Sequence, residues 1–299
     1  MIRRVLLLLI LFYLTINDLF GETEFRNEGT IFMKLYGGSS SASGYYDLDG
    51  IKINSLTDEN SQVGQKDYTM DLTKGIMGLN CEYSVSESFM VFCDIPLTIN
   101  ELDEIYKSND TTGLRYNKAN YTLTHLEYVG LGAKYLLYSK KSYSFIMVEG
   151  RIPPGFKRGI PDTTGKKFLS DGAFELRTGL GIGLKSESYF LESIIAYNYR
   201  DEELADEVVI KLEAGLSNVP DAKLSIVGEF VQSMKSFKYA IPLKINETVT
   251  QEDYFAMGFE FSMFFSELFY GEFNYILRLS GKNTWNYGTY RIGIGVLFD

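Results

Sequence analysis

From residue 253 onward the chain alternates strictly, with Phe255, Met257, Phe259, Phe261, Met263 and Phe265 at odd positions and Ala256, Gly258, Glu260 and Ser262 between them. A period of two predicts a β-strand with one apolar and one polar face. Residues 205–217 repeat the pattern: Val208, Ile210, Leu212, Ala214 and Leu216 oppose Glu207, Val209, Lys211, Glu213 and Gly215. Twelve such segments are readable, at approximately 30–37, 68–84, 88–99, 121–138, 143–152, 172–185, 189–200, 205–217, 223–234, 253–265, 268–279 and 285–298. Their connections mostly alternate in length, although those after strands seven and eleven are short where long ones are due. Val85–Glu87, Ser139–Ser142, Ser186–Ser188, Ser217–Ala222 and Ser266–Glu267 are tight and polar, whereas 38–67, 100–120, 153–171 and 235–252 are long. Short turns at one end and long loops at the other predict an all-β protein, a single antiparallel transmembrane β-barrel of about 12 strands. A soluble sandwich has no need of that asymmetry.

Proline and the aromatic residues test this reading. Pro153, Pro154, Pro161, Pro220 and Pro242 fall in connections, as residues that cannot donate to a ladder should; Pro96 falls inside strand three and marks a bulge or a local end of pairing. Tyr83, Tyr138, Tyr143, Tyr189, Phe269 and Phe298 lie beside the short turns, and Tyr68, Tyr121, Tyr199, Tyr254, Trp285 and Tyr287 beside the long loops. Two aromatic girdles suit two membrane interfaces.

The N-terminus adds an export signal. Met1–Arg4 is charged and Val5–Ile16 apolar, the plan of a secretory signal peptide over residues 1–21, which leaves the barrel to residues 22–299. The alternative, a signal-anchor helix, stays open because no A-x-A site precedes Glu22. Across its 299 residues the chain carries a net charge of −10, which argues against nucleic acid as a partner and against a polybasic grip on anionic lipid. With two cysteines, Cys81 and Cys93, it has neither a disulfide framework nor a cysteine-based metal site, and no metal or cofactor is expected. The two cysteines fall opposite each other if Val85 pairs with Phe89.

Lipid-facing alternation assigns the other face to the lumen. The inward positions carry Glu82, Asp94, Glu149, Glu175, Glu192, Glu207, Glu213, Glu229, Glu260 and Glu272 against Lys134, Arg151, Arg177, Lys185, Lys211, Arg278 and Arg291. Mixed signs predict cross-lumen ion pairs, including Arg291 with Glu272, rather than the one-signed ring of a selective ion pore. Gly78, Gly130, Gly132, Gly179, Gly181, Gly183, Gly293 and Gly295 share the inward faces and permit close packing of the wall. His125, the one histidine, is read as outward-facing together with Glu127. A hydrolase built on this pair is a remote alternative, because no serine motif accompanies it.

The segment Arg291-Ile-Gly293-Ile-Gly-Val296-Leu-Phe298 resembles the C-terminal insertion signal of bacterial outer-membrane barrels, with Asp299 after the phenylalanine as a departure. That resemblance implies recognition through Arg291, Gly293, Val296 and Phe298 by the barrel-assembly machinery. It also implies an outer membrane of lipid and lipopolysaccharide and two periplasmic termini. Gly78–Tyr83, Phe92–Pro96 and Gly130–Tyr135 resemble outer-membrane transporters named for the phenol-degradation meta pathway, which are similar to the long-chain fatty-acid channels. This similarity implies a channel or transporter for small, hydrophobic molecules. A non-conducting structural or adhesive surface barrel is the alternative. No N-terminal hatch precedes strand one, although the 38–67 loop has the length to fold inward as a plug.

Overall fold

The structure, a computed structural model, describes residues 27–42, 44–46, 50–53, 55–58, 66–110, 113–139, 142–154, 173–186, 188–201, 204–219, 222–234, 252–282 and 284–298. The segment 1–21 read as a leader lies outside them. Twelve antiparallel strands form the wall: β1 (Ile31–Ala42), β2 (Lys66–Ser86), β3 (Phe89–Asp110), β4 (Val129–Ser139), β5 (Ser142–Ile152), β6 (Glu175–Lys185), β7 (Tyr189–Arg200), β8 (Glu207–Val219), β9 (Ala222–Ser233), β10 (Asp253–Phe264), β11 (Phe269–Lys282) and β12 (Gly288–Phe298). Each pairs with its neighbours in sequence, and β1 pairs with β12 from Ile31↔Phe298 to Ser41↔Gly288. The sheet therefore closes and has no free edge along the wall, the condition for crossing a bilayer with strands. Among the described residues no helix is long and apolar enough to cross a membrane.

The outer surface follows the alternation. Leu35, Ile226 and Ile294 are 66%, 60% and 64% exposed, within an aliphatic and aromatic belt. In a soluble protein such a surface would aggregate. In a bilayer it is the favourable side. Tyr83, Tyr138, Tyr189, Phe269 and Phe298 stand exposed near the short turns and Tyr199 near the other rim. Three residues expected in the girdles turn inward instead: Tyr143, only 5% exposed, and Tyr254 and Tyr287, all lining the interior. Strand ends alone do not settle which face a tyrosine takes.

Two connections differ from expectation. Residues 100–120, read as a loop, continue β3 to Asp110 and return as a strand, Gly113–Leu126, paired from Asp110↔Gly113 to Leu97↔Leu126. β2 and β3 are 21 and 22 residues long, about twice the 9–11 residues that cross a bilayer. With Ser55–Asp58 on the free side of β2, these strands form a four-stranded blade beyond the barrel wall. The described part of the 38–67 loop joins Thr284–Trp285 in a small rim sheet through Tyr45–Tyr46 and Lys52–Ile53, and Tyr46 donates to the Leu279 carbonyl at 2.8 Å.

Pro96 accounts for a break in β3–β4 pairing. Below it Asp94 pairs with Gly130, and above it Leu97 pairs with Leu126, a change of register by one residue. Glu127 and Tyr128 occupy the gap, and the Glu127 amide donates to the Pro96 carbonyl at 2.9 Å. This bulge puts two successive side chains on the same face. The expectation that His125 and Glu127 face lipid fails at this point. One extra residue reverses the phase above it, so Glu127 lines the lumen and His125, opposite the fully buried Thr98, is itself buried.

Candidate functional site

The barrel encloses a cavity of about 1210 Å³. Along β1 it is lined from Phe32 to Ser40 and along β12 from Leu297 to Thr289, which at 3.3 Å per residue is about 26 Å of strand in each case. Its described lining carries nine basic and eight acidic residues. The interior is thus near neutral although the whole chain is at −10.

Of the charges expected inside, Glu82, Asp94, Arg151, Arg177, Lys185, Glu192, Lys211, Glu213, Glu229, Glu260, Glu272, Arg278 and Arg291 line this cavity. Glu149, Glu175 and Glu207 lie within the wall beneath arginines. Arg151 bridges Glu149 at 2.8 Å and Glu175 at 3.5 Å, Arg177 approaches Glu149 at 3.9 Å, and Arg200 reaches Glu175 at 3.3 Å and also holds Glu207. Lys134 sits 5.7 Å from the Phe145 ring centroid. The C-terminal strand contributes Arg291 over Tyr36, at 5.8 Å, rather than a pair with Glu272. Glu272 is taken by Lys34 at 3.0 Å from the other side.

These contacts join into a belt. Arg291 stacks on Tyr36; the Tyr36 hydroxyl donates to Asp94 at 3.0 Å, as does that of Tyr128 at 2.9 Å; Arg151 lies 4.7 Å over the Tyr128 ring and continues the chain to Glu149 and Glu175. Buried charge is costly unless compensated, and here aromatic hydroxyls share that task with cations. A second cluster closes the rim by the long connections. Arg278 lies 3.8 Å from the Tyr254 centroid and 5.1 Å from that of Tyr287, and pairs with Glu252 at 3.1 Å. Tyr254 donates to Glu229 at 2.5 Å.

Some interior residues escaped the sequence reading. Lys34 and Tyr36 were hidden because Phe32 on the same face makes both faces of β1 begin apolar. Lys74 and Lys223 had the parity of Glu82 and Glu229, a usable signal. Glu127, bonded to Lys74 at 2.7 Å and Thr98 at 2.9 Å, depends on the bulge, which only Pro96 announced.

Five inward glycines have a common use. A Cβ at Gly78, Gly132, Gly181, Gly183 or Gly215 would overlap the ring of Tyr36, Phe92, Phe145, Tyr143 or Phe190, in that order. Each ring belongs to the directly paired residue of the neighbouring strand. A ring laid over a glycine covers bare backbone and stays flat on the wall. The bore is wider for it.

Cys81 and Cys93 are register partners on β2 and β3, both free, on the lipid-facing side. Val85 is bulged out, so Ser86 rather than Val85 pairs with Phe89. Among the described residues no group of acids, histidines and cysteines is arranged to hold a metal ion.

No protein-family model and no curated protein matches the chain. Solved structures are. The crystal structure of an outer membrane channel from Pseudomonas putida F1 is 12% identical over 93% of this chain and 99% of that one, with a TM-score of 0.63. The P. putida toluene transporter TodX is 10% identical over 92% of this chain and 91% of that one, with a TM-score of 0.46. The end-to-end match to the first shows that this chain has the fold of an outer-membrane channel.

Proposed function

We propose that the chain is an outer-membrane channel for small, hydrophobic molecules. The observation that carries this reading is the cavity along the strands, lined by rings as well as by charges of both signs that are largely spent on one another. Such a lining holds no net field against a neutral solute, whereas a one-signed ring would select ions. The solved outer-membrane channel of similar fold supports the channel reading. In this proposal residues 1–21 are the export signal, both termini are periplasmic, and the outer leaflet supplies lipopolysaccharide. Arg291, Gly293, Val296 and Phe298 are read by the barrel-assembly machinery. His125 is a wall residue and the protein is not an enzyme. The test is fluorescence uptake of N-phenyl-1-naphthylamine by a Gram-negative host producing the barrel. Faster uptake than in cells making an unrelated sealed barrel is expected; equal rates with folded protein in the membrane would oppose the proposal.

The four-stranded blade favours a second reading, in which its β2–β3 surface binds an extracellular partner and the lumen conducts nothing. Removing residues 100–122 separates the two. Uptake persists if the lumen is the working part.

A further inference from the structure

We infer that the lumen holds a station for the anionic group of a solute, formed by Arg177 and Arg291. This extends the channel reading to a solute class: small amphipathic acids with one carboxylate and an apolar body. The argument rests on which hydrogen-bonding capacity remains unused. Lumen carboxylates accept from neutral donors on the wall: Asp94 from Tyr36 and Tyr128, Glu229 from Tyr254, and Glu260 from Asn274 at 3.3 Å. Glu213 and Glu272 are further held by lysines, at 2.7 and 3.0 Å. Their acceptors are engaged.

The two arginines are different. Arg177 has one carboxylate contact among the described residues, at 3.9 Å, and its Nε is buried with no hydrogen-bond partner. Arg291 has the face of Tyr36, which takes its charge but none of its N–H groups, and no described carboxylate within 4.0 Å. A guanidinium carries five donors in a planar fork that matches a carboxylate. The buried Arg177 Nε is a donor without an acceptor among the described residues, whereas Arg291 is exposed to the lumen and its fork is open to an incoming carboxylate. Both residues line the cavity, Arg177 as the third residue of β6 and Arg291 as the fourth of β12, in the half toward the long connections. Five strands lie between β6 and β12 in either direction round the ring of twelve, so the two forks come from opposite walls. Phe32, Phe190 and Tyr270, toward the short turns, provide apolar surface for the rest of the molecule.

Saturation-transfer difference NMR on the detergent-solubilised full-length barrel tests this without requiring conduction, with benzoate and benzyl alcohol as probes. Benzoate should give the stronger signal on the native protein, and Arg177→Gln/Arg291→Gln should reduce it severalfold while leaving benzyl alcohol unchanged. Lys34→Gln, which removes a paired cation, should leave both probes unaffected. Retention of the heat-modifiable gel form establishes that each variant is folded. If the double variant does not fold, the single variants Arg177→Lys and Arg291→Lys are measured, and each should retain charge but lose part of the benzoate signal. Equal signals for the two probes on the native protein, or a benzoate signal untouched by the substitutions, would overturn the inference. A barrel that binds benzoate yet fails the uptake assay contradicts the channel and keeps the station.

Discussion

Single residues set the bore through what they lack. Gly183 has no side chain, and the Tyr143 ring occupies that space with its hydroxyl turned to Glu192. Gly183→Val should lift the ring off the wall and into the lumen, costing about 1–3 kcal/mol of overpacking and lowering conductance. Urea unfolding of the detergent-solubilised barrel and single-channel recording read the two effects separately. Unchanged conductance in a folded variant would mean that the ring does not border the path. The sequence showed glycines on inward faces but not what they receive, because the pairing of glycine with ring depends on register between strands rather than on spacing within one. Lys34 shows the same limit: its ion pair with Glu272 crosses the β1–β12 closure, separated by most of the chain.

Strands were the most legible level, since a slip of one residue would exchange lipid and lumen faces all along a strand and the hydrophobic pattern forbids it. Phe255, Met257, Phe259 and Phe261 on β10 are exposed as their parity requires, while Glu260 lines the cavity. Reading failed where a strand changes phase or outruns the membrane. The Glu127–Tyr128 bulge inverted the assignment of His125, and the polar residues of the blade mimic a loop because neither of its faces needs to be apolar. Pairing of β2 with β3 is testable by the cysteines. Direct opposition of Cys81 and Cys93 predicts that mild oxidation with copper phenanthroline joins them within one chain, so that later alkylation adds no mass unless a reductant comes first. Two alkyl groups added to the oxidised, folded barrel would indicate another register.

At the scale of the whole molecule, closure and charge balance act together. Pairing of β1 with β12 removes the sheet edge and makes an interior, and nine basic against eight acidic lining residues keep that interior near neutral in an acidic protein. The outer belt holds the barrel in lipid, and the belt from Arg291 to Arg151 braces its wall from within. What passes is set by the space left between those side chains. Single-channel recording in a planar bilayer is the most direct test of a conducting lumen. Insertion of the heat-modifiable, folded protein should give discrete current steps, smaller than those of a wide water-filled porin because side chains crowd this bore. A bilayer that stays electrically silent at every voltage, with folded protein demonstrably inserted, would contradict the account.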